Sequence, residues 1–274
     1  MSRSYLFIPG NNPNMLQNLD VFNADAVIID FEDSVISYDK DCARDLVESF
    51  LNKYNFDNLD IYIRINDFES KDFLEDVKNT IDLNIEGYVL PKAMPESIDA
   101  LNRLIGAKGK SIIPIIESPL ALLYVREIAS KDNLQGILLG AEDFTKELNV
   151  PRTLEAAEIF YARSIISIAC NAYQIDSIDT PFTNTDDIKN LKVDSLKAKQ
   201  LGFTSKSSIH PNHVEVINEV FAPSKSEIEN ALRIVTKAKT EVKGAFSLDG
   251  KMVDLPIIKK AEKTIELAKK YNLL

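Results

Sequence analysis

The sequence predicts an α/β fold, a closed (β/α)₈ TIM barrel with a C-terminal helical lid or arm, on three observations. Eight short β-branched runs recur at intervals of roughly twenty to forty residues, with amphipathic helical spacing between them. Nearly every run ends on charged or polar residues, as strands do at the active rim of such a barrel. A length of 274 residues is normal for one barrel and long for most other single domains.

The strand-like runs are 5–8, 26–30, 61–65, 87–90, 111–116, 136–139, 175–179 and 205–209. Between the third and fourth, Leu74, Val77, Lys78 and Ile81 keep the i, i+3, i+4, i+7 spacing of a helix face. Ala156, Ile159, Phe160 and Arg163 repeat that pattern after Pro151. Once His210-Pro211 ends the eighth run, more than sixty residues remain. They read as a helix from Ser226 to about Val242 capped by Ser224 or Ser226, a loop or hairpin over 244–254 bounded by Gly244, and a last helix from Pro256. The expected division is a barrel domain, 1–221, and an extension, 222–274, that serves as a lid or subunit-contact segment.

Composition excludes several classes of function. A formal net charge of −10 argues against binding nucleic-acid phosphates or an anionic membrane surface, and leaves room for a local basic pocket that takes a phosphate-bearing cofactor. Every apolar run is broken by Asp, Glu, Pro or Lys before it reaches bilayer length. The first residues, Met1-Ser2-Arg3-Ser4, enter a strand with no signal-peptide pattern. Two cysteines, Cys42 and Cys170, both in helical stretches, do not form a secreted disulfide framework. The expected location is the cytoplasm.

The run ends carry the chemistry. In Ile61-Tyr62-Ile63-Arg64-Ile65-Asn66, alternation puts the isoleucines on one face and Tyr62, Arg64 and Asn66 on the other, aiming Arg64 at the barrel mouth. A guanidinium there grips either a substrate carboxylate through its planar fork or an internal partner, Glu32 or Asp33. Glu117 and Asp143 end the fifth and sixth runs, and neighbouring strands bring matching positions within about 4.8 Å. Two carboxylates with waters and substrate oxygens describe a Mg²⁺ site; solvated acids capping the next helices are the alternative. Alternation points Glu142 away from that site, and a turn there would redirect it. Glu32 and Asp33 either orient Arg64 and metal-bound water as a second shell or cap the next segment. Lys92 after Pro91 is a surface or anion-contacting residue rather than a Schiff-base lysine.

Eight segments stand in order along the chain: Arg3-Ser4-Tyr5-Leu6-Phe7-Ile8-Pro9-Gly10, Ala26-Val27-Ile28-Ile29-Asp30-Phe31-Glu32-Asp33, Ile63-Arg64-Ile65-Asn66, Leu90-Pro91-Lys92 and Ile116-Glu117-Ser118-Pro119. Gly140-Ala141-Glu142-Asp143, Ile209-His210-Pro211 and Gly250-Lys251-Met252-Val253-Asp254 complete the set. Taken together, they resemble the HpcH/HpaI aldolase and citrate lyase β-subunit family. The resemblance implies Mg²⁺ ligation by Glu117 and Asp143, a keto-acid carboxylate on Arg64, substrate contact at Glu117, and a catalytic acid/base at Asp254. It implies a homotrimer or dimer of trimers whose C-terminal segment reaches a neighbour's site, and α and γ partner subunits.

The activity implied is Mg-dependent carbon–carbon cleavage of a 3-hydroxy-acyl thioester, citryl thioester giving oxaloacetate and acetyl thioester. The thioester is borne on coenzyme A or on an acyl-carrier protein. Residues 11–18, which follow the Pro-Gly turn, contain no basic side chain, a departure from coenzyme A-using relatives that favours the carrier protein. Malyl- or citramalyl-coenzyme A cleavage, a free-acid pyruvate aldolase and a non-catalytic scaffold are the competing readings.

Overall fold

The computed structural model describes residues 2–56, 59–240 and 245–274. The eight expected runs form eight parallel strands: β1 (Ser4–Pro9), β2 (Ala26–Asp30), β3 (Asp60–Arg64), β4 (Gly87–Leu90), β5 (Ser111–Ile116), β6 (Gly136–Leu139), β7 (Asp176–Asp179) and β8 (Ser205–Ser208). Each pairs with the next, and β1 closes the barrel on β8. The connecting helices are α1 (Pro13–Leu16), α2 (Lys40–Lys53), α3 (Asp72–Thr80), α4 (Pro95–Ile105), α5 (Pro119–Leu123) and α6 (Val125–Ala129). After β6 come α7 (Ala141–Glu147), α8 (Phe160–Tyr173), α9 (Ile188–Gln200) and α10 (Val214–Phe221).

Period-two alternation decides what fills the barrel. Tyr5, Ala26, Ile28, Tyr62, Val89, Ile113, Ile115, Leu138 and Ile178 form one buried cluster. Ile61 and Ile63 are buried on the opposite face of β3, as expected of a sheet covered on both faces. Continuing the inward series by two residues past the cluster reaches Asp30, Arg64, Glu117, Gly140 and Thr180. The site is therefore the top layer of the barrel interior.

The alternation expected for Asn66 fails, because β3 ends at Arg64. Asn66 turns into the helix layer, where its backbone and side-chain nitrogens both donate to Asp76 Oδ2 at 2.7 Å. The expected face of α3 is shifted by one residue. Phe73, Asp76, Val77 and Thr80 are buried, whereas Leu74 is 59% exposed. A polar residue that is buried because it is bonded does not register in an apolar periodicity. Ile159, just before α8, and Arg163 on α8 are buried, but Phe160 is 58% exposed. Arg163 lies inside because Asp179 and Asp194 receive its guanidinium, at 2.8 Å each. Lys206 completes this buried network from β8, donating to Asp179 at 2.6 Å and to Asp194 at 2.7 Å.

The described residues cluster into two units, Met1–Asn218 and Glu219–Leu274. In the second, α11 (Lys225–Ala238) packs on α12 (Leu255–Lys270), and β9 (Phe246–Leu248) pairs antiparallel with β10 (Lys251–Val253). Ala231, Ile234, Val253 and Ala261 form its small core. Ser224 is the N-cap of α11, in a capping box with Glu227. The expected helix end at Val242 and the expected loop boundary at Gly244 lie outside the described residues. Among the described residues, no helix is long and apolar enough to cross a membrane.

Candidate active site

Asp30 and Arg64 are register partners on β2 and β3 and both face inward. The guanidinium donates from Nε to Asp30 Oδ1 at 2.6 Å and from Nη2 to Asp30 Oδ2 at 2.7 Å. This bidentate pair is the strong form of the interaction. Nη1 meets Glu32 Oε2 at 3.0 Å and Asp33 Oδ2 at 3.4 Å. Burial works against the Arg64 cation, but the hydrogen bonds and charge of Asp30 outweigh it and hold the pKa above its ordinary value. Burial likewise opposes the Asp30 anion, yet Arg64 keeps its carboxyl below the usual range. The Phe7 ring lies 5.1 Å from the guanidinium carbon, within cation–π range. The internal partner expected from Glu32 or Asp33 is real, but the fork itself belongs to Asp30. Alternation from Ala26 and Ile28 is the sequence signal by which an inward Asp30 could have been found.

Glu117 follows β5 directly and is 7% exposed. Its Oε1 accepts from the Lys92 backbone N–H at 2.5 Å. Lys92 holds a left-handed φ of 46°, an uncommon conformation for a side-chain-bearing residue and one that collects at functional sites. Its ammonium contacts Asp67 at 3.2 Å and Glu32 at 3.8 Å. Burial pushes the Glu117 carboxyl up to about 7, with the charge of Asp143 adding to the shift. Burial also raises Glu32 to about 7, against the opposing pull of Arg64. These are carboxylates gathered closely enough to favour a cation among them.

Glu117 and Asp143 do not sit at matching heights. Ile116 pairs with Leu139, so the next residue on each strand sets Glu117 level with Gly140. Asp143 reaches the site from the first turn of α7, with its side chain 49% exposed and Lys146 at 3.8 Å. For Glu142 the redirecting turn prevails over alternation, since the helix begins at Ala141. Glu142 lines the cavity and pairs with Arg152 at 3.0 Å. Gly140 makes room for Glu117: a Cβ there would lie 2.6 Å from Glu117 Cβ and 2.9 Å from Glu117 Oε2.

These groups surround a cavity of about 440 Å³ lined by Arg64, Asp30, Asp33, Glu117 and Asp143, with Phe7, Ile115 and Leu138 as apolar surface. Glu32 lines an adjoining cavity that shares Asp33, Glu117 and Asp143. Among the described residues, no cluster of three or more His, Cys, Asp or Glu forms a metal cage. A pair of carboxylates at an open cleft suits Mg²⁺, which keeps several waters, rather than Zn²⁺. Asp254 belongs to the second unit, where it is the N-cap of α12 and accepts from Ile257 N at 3.4 Å.

A parallel eight-stranded barrel with a paired arginine and two carboxylates at one cavity of its C-terminal rim belongs to the class of rim-site barrel enzymes. The profile of the HpcH/HpaI aldolase/citrate lyase family matches residues 3–211. Citrate lyase subunit beta of Leuconostoc mesenteroides subsp. cremoris is 33% identical, over 100% of this chain and 95% of its own length. The chain belongs to this family. Human mitochondrial citramalyl-CoA lyase is 28% identical over 97% of this chain and 85% of its own. The structure of CitE from Mycobacterium tuberculosis in complex with magnesium, acetoacetate and coenzyme A superposes with a TM-score of 0.81. It is 27% identical, covering 97% of this chain and 98% of that one.

Proposed function

We propose that this protein is a Mg²⁺-dependent carbon–carbon lyase of the citrate lyase β-subunit type, cleaving citryl thioester to oxaloacetate and acetyl thioester. The observation that carries the reading is the convergence of Arg64, Glu117 and Asp143 on one rim cavity. Glu117 Oε2 and Asp143 are the residues to hold the metal. When bound there, Mg²⁺ supplies Lewis-acid polarisation of the hydroxyl and carboxylate oxygens of the substrate. Arg64, anchored by Asp30, holds the keto-acid carboxylate through N–H groups not bonded to Asp30 and fixes the geometry of the bond to be broken. The proton of the substrate hydroxyl leaves to solvent, the hydroxyl oxygen becomes the keto oxygen of oxaloacetate as the C–C bonding electrons pass to the acetyl thioester as an enolate, and the enolate carbon takes a proton. Asp254 is the acid for that last step, delivered by the arm 222–274.

The absence of basic residues over 11–18 supports a carrier-protein thioester and α and γ partner subunits in preference to free coenzyme A. Self-assembly into a homotrimer or dimer of trimers is supported by exposed Leu120 and Leu123 on α5 and Phe160, Tyr161 and Ile168 on α8. These two helices pack together, so their apolar residues share one region of surface suited to a second copy of the chain. Free Cys42 and Cys170 fit a reducing compartment, the cytoplasm.

The test is oxaloacetate release from citryl thioester by the purified chain, read by coupled reduction, with and without chelator. Turnover that requires Mg²⁺ is expected; a folded protein inert on citryl, malyl and citramalyl thioesters alike overturns the reading. Asp254→Asn should lower turnover by about 10²–10⁴-fold. Mixing it with inactive Arg64→Ala chains should restore part of the activity if the arm serves a neighbour. A second reading, citramalyl cleavage to pyruvate, is favoured by one observation. Arg64 is the one cationic side chain among the described residues lining the cavity, and oxaloacetate carries a second carboxylate. The ratio of kcat/KM for citryl and citramalyl thioesters decides between them.

A further inference from the structure

We infer that Lys40 is a positioning residue that locks the rim loop carrying Glu32 and the loop that follows Arg64 into one relative placement. Lys40 opens α2 and is 8% exposed. Its ammonium donates to Phe31 O at 2.8 Å, Glu32 O at 3.1 Å and Asn66 Oδ1 at 2.6 Å. An ammonium has three donors, and all three are spent on neutral acceptors. Among the described residues, no carboxylate lies within ion-pair distance of it. A buried lysine without an anion is uncommon, so its location needs a reason beyond charge pairing.

The acceptors supply that reason. Phe31 and Glu32 follow β2, and Asn66 stands two residues beyond Arg64 after β3. Asn66 donates to Phe31 O at 3.1 Å and to Asp76 Oδ2 at 2.7 Å, and Asp76 Oδ1 accepts from Arg44 on α2 at 2.6 Å. The helix layer is thereby bonded to both loops through one cluster. Glu32 is held at both ends of its backbone: its N–H donates to Asp30 Oδ1 at 2.9 Å and its C=O accepts from Lys40. With both main-chain groups fixed, the Glu32 carboxylate is presented to Arg64 Nη1 at 3.0 Å. Lys40 thus acts on Arg64 through Glu32, without touching substrate.

The test compares Lys40→Met with Lys206→Met, a control that removes another buried ammonium, from the network among β7, β8, α8 and α9. In ligand-free protein, Lys40→Met should speed amide exchange over residues 31–35 by about tenfold or more relative to β5, and the control should not. This arm is independent of the lyase reading; the kinetic arm rests on it. There, Lys40→Met should lower kcat/KM by about 10- to 100-fold, the scale of a sub-ångström misplacement. The same substitution should add little in a Glu32→Gln background, because both act at one point. Unchanged exchange over 31–35, or a full additive loss in the Glu32→Gln background, overturns the assignment. Should Lys40→Met not fold, Asn66→Ser breaks the same bridge from its other end and is read by the same two measurements.

Discussion

Gly140→Ala tests the site through a single methyl group. The backbone at Gly140 (φ −90°, ψ 77°) suits any residue, so the substitution acts through space alone. The new Cβ would stand 2.6 Å from Glu117 Cβ, 2.9 Å from Glu117 Oε2 and 2.9 Å from Ile115 Cγ2, where ordinary contact begins near 3.4 Å. Ile115 is part of the barrel core, and Lys92 N–H holds the other Glu117 oxygen, so relief requires Glu117 to move by about 0.5–1 Å. Overpacking costs about 1–3 kcal/mol, and the stiffer unfolded chain offsets about 0.4–1 kcal/mol. The net stability loss is therefore modest. Misplacement of a reacting group by about 1 Å costs about 10²-fold in rate. The expected loss in kcat/KM is about 10- to 100-fold, or about 1.4–2.7 kcal/mol, with a raised Mg²⁺ requirement. The assay is initial rate against Mg²⁺ concentration, with Mn²⁺ binding by electron paramagnetic resonance as a readout that needs no turnover. Wild-type Mn²⁺ affinity and wild-type kcat/KM in the variant would refute the placement of Glu117 at the metal.

Other expectations follow from the same geometry. Arg64→Lys keeps the charge but loses the fork on Asp30, so kcat/KM should fall by about 10- to 100-fold, the worth of a charge-assisted hydrogen bond of about 1.5–3 kcal/mol. Calorimetry showing unchanged keto-acid binding would make Arg64 a purely internal partner. Glu117→Gln and Asp143→Asn should leave the ligand-free melting temperature at or above wild type while abolishing the rise that Mg²⁺ produces by binding the native state. A preserved rise in either variant removes that residue from the metal site. In the buried network, burial disfavours the Asp194 anion, but Lys206 and Arg163 outweigh it and lower its pKa from 3.8 to about 2. That carboxylate stabilises the fold above its unfolded pKa, and about 2 kcal/mol should be lost as pH falls from about 4 to about 2. Urea unfolding across that range measures the loss, and Lys206→Met should flatten it; an unaltered slope would show that Lys206 does not hold the anion.

The barrel was legible in the sequence because its determinants are local and repeated. A strand buried on both faces needs a short β-branched run, and a βα unit needs a helical spacing after it. Eight such units in one chain have few ways to bury their apolar faces other than closing. Arg64 and Glu117 were legible for the same reason, since period-two alternation carries inward residues such as Tyr62 and Ile115 directly onto them. Where the chain leaves the strand, that rule stops. Asn66 turned into the helix layer, Glu142 turned toward the cavity, and Asp143 came to the site from a helix turn instead of a strand end.

Partnership was decided only by tertiary structure. Asp30, Lys40, Asp76, Arg163 and Lys206 are polar residues whose partners apolar periodicity cannot name. Each is buried because a group distant in sequence satisfies it, Arg64 for Asp30 and Asp194 for Lys206. The sequence by itself determined the order of the strands and the inward face of the rim, since both follow from spacing along one chain. Which polar groups meet there, and that a glycine at 140 leaves room for a glutamate at 117, depends on contacts between strands and helices. Those contacts exist only once the barrel has closed, because burial makes an unpaired polar group costly and thereby selects the pairs.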